Sequence, residues 1–298
     1  MVVLVVIFAF LSYSQRGLDL MGIKGFMLLK NPEEAFVTEG IFSKDHIFGV
    51  DMIGRDLFSR VAFSMKTFIE ASAIALSIAL SGGIIAGTIE AMLDNAYIIN
   101  LSGVRLFRIG GIIGGLTKVL ASMPQIVVIV LLWKLSGEMS IYHIMTAFGV
   151  FTIPRISEKV KAKIFAIRNE GFVESARALG IGPLRILWKH ILWHQMRYLL
   201  LVETAYITAE VVLFETGISF LGYGAGDISL GTMAAQGKDY FISELSAMNN
   251  APVLEVMRGF IMNVTLWSTF TLPGLAIMFT LLGFYLLADG LKERLVRS

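Results

Sequence analysis

Long uncharged apolar runs dominate this chain, and alternation of apolar with polar positions is scarce. Residues 71–89 (ASAIALSIALSGGIIAGTI) carry no charge, and a helix needs roughly 20 apolar residues to cross a bilayer core. Residues 259–288 form the longest such run, interrupted only by Pro273, which a membrane helix tolerates as a kink. Residues 109–133 qualify if Lys118 lies near an end or faces a polar interior. Residues 139–154 are short, uncharged apart from their flanks, and end at Pro154; residues 198–222 are apolar except for Glu203, Glu210 and Glu215. Residues 2–13 are apolar but short for a crossing, so the first helix is abbreviated or the start lies upstream. A cleaved signal peptide fits this segment poorly, because it has no basic n-region and no small-residue cleavage site. The pattern predicts an all-α polytopic membrane protein with about six transmembrane helices.

Small residues recur at helix-packing spacing in the pairs Ser77/Ser81, Gly83/Gly87, Gly110/Gly114 and Gly111/Gly115, which lets helix backbones approach closely in lipid. Composition agrees with the pattern: 56% of the 298 residues are hydrophobic and only 16% charged, against about 25% charged in ordinary soluble domains. The net charge of +2 gives no argument for nucleic acid, but its distribution is informative. Nine of the 25 Lys and Arg fall within residues 155–197, and three more, Lys292, Arg294 and Arg297, crowd the C-terminus. The 223–258 connection has Lys238 and Arg258 against Asp227, Asp239, Glu244 and Glu255. Basic loops stay in the cytoplasm, so both termini and the 91–108 and 155–197 loops are expected inside, with the 14–66 and 223–258 connections outside.

Several chemistries drop out. With no cysteine, disulfides, thiolate metal sites and cysteine nucleophiles are excluded. His190 and His194 suit one helix face, but Ile191 stands where a zinc protease motif needs Glu, leaving two histidines on a basic surface helix. The nearest approach to a phosphate-binding loop, Gly82 to Gly87, has Thr88 in place of lysine and lies in an apolar run. The chain therefore does not hold ATP in that way.

The 155–197 loop reads as more than a connector. Residues 157–169 form a basic helix closed by Gly171, and residues 172–179 (FVESARAL) form a short one stopped by Gly180. Gly182-Pro183 opens another. Phe172, Ala176 and Leu179 lie at i, i+4 and i+7 and share a face. That ridge packs either on the protein's own helix ends or in a partner's groove.

Glu174-Ser175-Ala176, three residues, Gly180, nine residues, then HIL at 190–192 resembles the EAA loop of binding-protein-dependent ABC importer permeases. That pattern is E-A-A, three residues, G, nine residues, I-x-L-P. Here Ser175 replaces the middle alanine and Trp193 the proline. Residues 46–56 (HIFGVDMIGRD) resemble the G-T-D-x-x-G-R-D stretch of peptide-importer permeases, with Val50 for threonine. Residues 215–222 (ETGISFLG), 231–240 (GTMAAQGKDY), Met123-Pro124-Gln125 and 273–291, ending in Asp289-Gly290-Leu291, are similar to further stretches of the same family. Together they cover most of residues 46–291. The best fit is the second permease of dipeptide, oligopeptide and nickel importers, although the 91–108 loop is longer than in such permeases and their N-terminal extension is missing.

The resemblance implies a type I ABC importer permease fold in the cell membrane. It implies a cytoplasmic coupling helix that docks on an ATPase subunit through Phe172, Glu174, Ser175, Ala176, Leu179 and Gly180. It also implies a homologous second permease, two ATP-binding cassette ATPase subunits and an external substrate-binding protein as partners. This chain would have no catalytic residues, no cofactor and no metal. The cargo would be short peptides, or nickel or another small solute. The expected organisation is 1–66 as first membrane segment and external loop, 67–291 as permease domain, and 292–298 as cytoplasmic tail.

Charges inside apolar runs raise two further expectations. Glu203 and Glu210, seven apart, share a face. They either line the pathway and favour a cationic group, or pair with polar groups of a partner subunit or sit near the membrane interfaces. Only Glu215 falls in a family motif, as a structural residue. Asp51, Arg55 and Asp56 form a polar knot before the second span, expected to order that loop rather than to touch substrate. A proton-coupled secondary transporter would account for the glutamates but not for the glycine-bounded basic loop. A membrane-embedded hydrolase lacks a Ser/His/Asp set at plausible depth.

Overall fold

The computed structural model describes residues 48–49, 51, 55–93, 104–137, 140–182, 185–223, 229–247 and 264–297. All regular structure among them is helical: α1 (Leu57–Leu93), α2 (Val104–Ser122), α3 (Gln125–Ser136), α4 (Ile141–Ile167) and α5 (Gly171–Ala178), then a π-helical segment (Ile186–Gln195), α6 (Arg197–Phe220), α7 (Leu230–Ala247) and α8 (Val264–Arg297). The apolar segment at 2–13 and the 91–108 loop's centre, 94–103, lie outside the described residues.

Among the described residues two helices are each long and apolar enough to cross a membrane, Leu57–Met92 within α1 and Thr269–Glu293 within α8. At the expected crossing of 109–133, α2 and α3 together are long and apolar enough for a span, but they are bent by 85° at a break between Ser122 and Gln125. Pro124 sits between them with an extended ψ of 105°, and a proline disfavours helical backbone at the residue before it. Residues 139–154 do not end at their proline. Pro154 is inside α4, which therefore joins the expected fourth span to the basic helix after it. Pro273 is likewise inside α8, and the expected tail at 292–298 continues that helix to Arg297. The 223–258 connection, expected as an external loop, contains α7.

The described residues gather into two compact units. One takes the start of α1 up to Ala71, the stretch Ala209–Phe284 and so all of α7. Its core joins Leu57, Met65 and Phe68 of α1 to Val212 of α6 and Leu230 and Met233 of α7. Two glycines set the approach of α7. A Cβ on Gly237 would stand 2.7 Å from the Thr269 carbonyl oxygen, and one on Gly231 would collide with the Thr216 carbonyl.

The other unit holds Ser72–Glu138, Tyr142–Thr208 and Tyr285–Ser298. Here Gly82, Gly83 and Gly87 of α1 receive Ile153, Ile156, Ser157 and Val160 of α4, and Gly149 of α4 lies 2.9 Å, at its would-be Cβ, from the Ala75 carbonyl oxygen. Lipid is as apolar as a leucine side chain, so helices associate in it through close contact rather than hydrophobic burial. The Gly83/Gly87 pair makes such a seam. Gly111 and Gly115 face open space, and Ser77 donates to the Ala73 carbonyl of its own helix.

Candidate functional site

The short helix expected at 172–179 is present as α5, one residue earlier at each end. Three residues link it to α4, with the Glu170 N–H bonded to the Ile167 carbonyl at 3.0 Å and the Val173 N–H to the Glu170 carbonyl at 2.9 Å. Gly180 follows at φ +77°, a left-handed conformation costing other residues about 1–2 kcal/mol. Its N–H bonds the Arg177 carbonyl at 2.9 Å, and the Ile181 N–H bonds the Ala176 carbonyl at 3.1 Å, which closes the helix end.

The ridge at Phe172, Ala176 and Leu179 divides. Val173 and Ala176 are buried, whereas Phe172 is 39% and Leu179 80% exposed. An eight-residue helix is marginal in water, and burying a valine contributes roughly 1.5–3 kcal/mol. Val173 and Ala176 thus hold α5 on its own chain while Phe172 and Leu179 stand clear. Glu174 lies in the first turn of α5, where a carboxylate favours the helix dipole, and the Ser175 hydroxyl donates to the Gly171 carbonyl at 2.8 Å. Beyond Gly182 the expected helix forms as a π-helix, with the Met196 N–H bonded to the Ile191 carbonyl at 3.1 Å. His190, His194 and Trp193 all fall on it.

Two lysines of α4 reach carboxylates on other helices. Lys159 Nζ donates to Glu203 Oε1 of α6 at 2.5 Å. Lys161 Nζ lies 3.7 Å from Glu90 Oε2 of α1. Glu90 Oε1 also accepts the hydroxyls of Ser157 and Thr117, each at 3.1 Å. Glu90 and Glu203 are both buried. Of the two expected glutamates, then, Glu203 is engaged by a lysine of its own chain, while Glu210 is half-buried. Glu215 is buried and accepts the Ser219 hydroxyl at 2.7 Å. Tyr206 of α6 donates to Asp289 of α8 at 2.7 Å.

In the other unit the polar knot is larger than expected. Asp51 Oδ2 accepts Arg55 Nε at 2.8 Å and Arg60 Nη1 at 2.5 Å, and Asp56 accepts the Ser59 N–H at 2.7 Å, capping α1. Arg60, 1% exposed, also donates to Gln236 Oε1 of α7 at 3.1 Å. A cavity of about 240 Å³ opens beside this group, bounded by Leu57, Met233, Gly237 and Tyr240. Sequence reasoning missed Arg60 and Gln236, which stand 176 residues apart, and it missed Glu90, Lys159 and Lys161. A glutamate three residues beyond Gly87, at the end of an apolar run, was the signal available for Glu90.

Residues 99–298 match the family described as binding-protein-dependent transport system inner membrane component. The chain is 28% identical over 258 residues to the probable D,D-dipeptide transport system permease protein DdpC of Escherichia coli K12, covering 85% of this chain and 74% of that protein. It is 30% identical over 260 residues to the oligopeptide transport system permease protein OppC of Bacillus subtilis, covering 85% and 72%. Against the glutathione transport system permease protein GsiD of Escherichia coli O6:K15:H31 it is 26% identical over 255 residues, covering 85% and 72%.

Proposed function

The chain belongs to the binding-protein-dependent transport system inner membrane component family, and from that premise we propose that it forms half of the translocation pathway of an ATP-driven importer of short peptides. Its apolar helices and its family make it a membrane transport permease. The peptide cargo rests on relatives named for dipeptide, oligopeptide and glutathione transport. Under this proposal a second permease, two ATPase subunits and an external binding protein complete the machine. The 155–197 loop and the C-terminus are cytoplasmic, as the excess of Lys and Arg there favours, and six crossings put the N-terminus on the same side.

One observation carries the coupling role: α5 is anchored by Val173 and Ala176 yet presents Phe172 and Leu179 outward. A groove on an ATPase subunit would cover these two side chains. The pairing of Glu203 with Lys159 supports an internal, structural role for that glutamate and weakens the case for a proton carrier. Asp51, Arg55 and Asp56 act in ordering the chain before α1.

The test is uptake by the assembled complex in vesicles, driven by ATP with no proton gradient. Phe172→Asp should lower peptide uptake at least about tenfold, since an unpaired polar group buried in an interface costs on the order of 1–3 kcal/mol and a charge costs more. Hydrolysis should also lose its stimulation by substrate. Normal uptake with normal stimulation would overturn the coupling role, and uptake of another solute in place of peptides would overturn the cargo.

A further inference from the structure

Lys159 and Lys161 are two residues apart on α4, so at about 100° per residue they leave the helix on opposite sides. Lys159 meets Glu203 of α6, and Lys161 meets Glu90 of α1. We propose that these two pairs form a clamp through which α4 passes the movement of α5 into α1 and α6, making Lys159, Glu203, Lys161 and Glu90 positioning residues for coupling.

Ser157 adds to the α1 side of the clamp. It lies four residues before Lys161, on the same helix face, and its hydroxyl donates to the same glutamate, Glu90, at 3.1 Å. Gly87, three residues before Glu90, rests against the Ser157 carbonyl and Val160. The α1–α4 contact therefore has backbone-close packing and a buried carboxylate within one turn of each other. Thr117 brings α2 to the same oxygen at 3.1 Å.

The α6 side of the clamp has another character. Glu203 is buried, while Lys159 is 41% exposed. A buried carboxylate without its cation is costly, so α6 follows Lys159 rather than letting it go. Packing contacts resist compression but give little resistance to sliding. Charge pairs on both flanks of α4 resist both, which is what a helix carrying force needs. The link from α4 to α5 is only residues 168–170, bonded at 3.0 and 2.9 Å as described, so displacement of α5 reaches the Lys159–Lys161 turn within about three helical turns.

This inference rests on the coupling role of α5, and the experiment separates the two. Lys159→Met, Glu203→Gln, Lys161→Met and Glu90→Gln are each assembled with the partner subunits in vesicles, and peptide uptake is measured per ATP hydrolysed. The expected result is retained ATPase association with a fall of about five- to tenfold in uptake per ATP, the range set by coupling energies of contacting charges. The swapped pair Lys159→Glu with Glu203→Lys should recover most of that loss, which a merely structural role for either residue alone would not produce. Unchanged uptake per ATP in the neutral variants overturns the clamp. So does a swapped pair that fails to assemble or to recover. Phe172→Asp is run alongside: if it too leaves uptake unchanged, the coupling role itself has failed, whereas if it uncouples transport and the lysine variants do not, only the clamp is lost.

Discussion

Gly87 of α1 lies directly against the backbone of Ser157 on α4, leaving no room for a Cβ between the glycine and the Ser157 carbonyl oxygen. The obstacle is main chain, which cannot rotate aside as a side chain can. Gly87→Ala must therefore push the helices apart, and overpacking of this kind costs about 1–3 kcal/mol. A lower thermal midpoint for the detergent-solubilised chain is the expected reading. Gly111→Ala is the contrast, because a Cβ there meets nothing within 4 Å and alanine gains about 0.5–1 kcal/mol of helix propensity. Equal midpoints for the two variants would show that the seam is not close-packed.

Gly180 stands at φ +77° where α5 ends. Alanine there would carry a Cβ into the left-handed region at about 1–2 kcal/mol, while asparagine adopts it far more readily. Gly180→Ala should reduce peptide uptake by the assembled importer, with Gly180→Asn nearer the native rate. The order Ala above Asn would mean that the conformation of this turn does not matter to coupling.

How much of this was legible beforehand depends on whether the cause was local. The end of α5 at Gly180, the uncharged core of α1 and the order of motifs all follow from neighbours in the chain. So does the Asp51–Arg55 contact, four residues apart. The partners of Glu203 and Arg60 were not readable. A carboxylate in an apolar run demands company, but nothing in the run says that Lys159, 44 residues earlier, supplies it. The two prolines show the same limit. Pro124 breaks its helix and Pro154 does not, although both interrupt apolar stretches. Beside Pro154 lies the glycine seam, where Ile153 and Ile156 are locked onto Gly82 and Gly83, and that contact favours an unbroken α4. Helix α7 was passed over because its charges suggested an external loop. Its glycines, Gly231 and Gly237, were visible, but their close contacts with Thr216 and Thr269 were not.

Arg60 fastens the segment before α1 to α7. Its guanidinium reaches both Asp51 and Gln236, a forked geometry that a lysine ammonium cannot reproduce. Arg60→Lys keeps the charge and loses part of that reach, leaving Gln236 without one donor. Gln236 is exposed and keeps Arg55 Nη2 as a donor at 3.3 Å, so we expect a loss of about 0.5–1.5 kcal/mol, the net worth of a hydrogen bond, read as a lower thermal midpoint. Gln236→Leu should cost a similar amount, and the double variant less than the sum of the two. Strict additivity would mean that the two residues do not act through each other.

Val173 within α5 and Leu179 at its C-terminal cap have opposite surroundings, and truncating each should separate folding from docking. Val173 is 1% exposed, so Val173→Ala removes packed methyl groups at a cost of about 1 kcal/mol or somewhat more. The loss should appear in the isolated chain as a lower thermal midpoint. Leu179 stands in the open in the isolated chain, where surface truncations usually stay within about 0.5 kcal/mol. Leu179→Ala should therefore leave the isolated chain's midpoint unmoved and show its effect only when partners are present, as weaker retention of the ATPase subunits on purification. The comparison is sharp because both changes shorten an aliphatic side chain and neither introduces charge. A Leu179→Ala chain that keeps its ATPase subunits as firmly as the native one would mean that this side chain is not part of the docking surface, and α5 would then need another face to meet its partner.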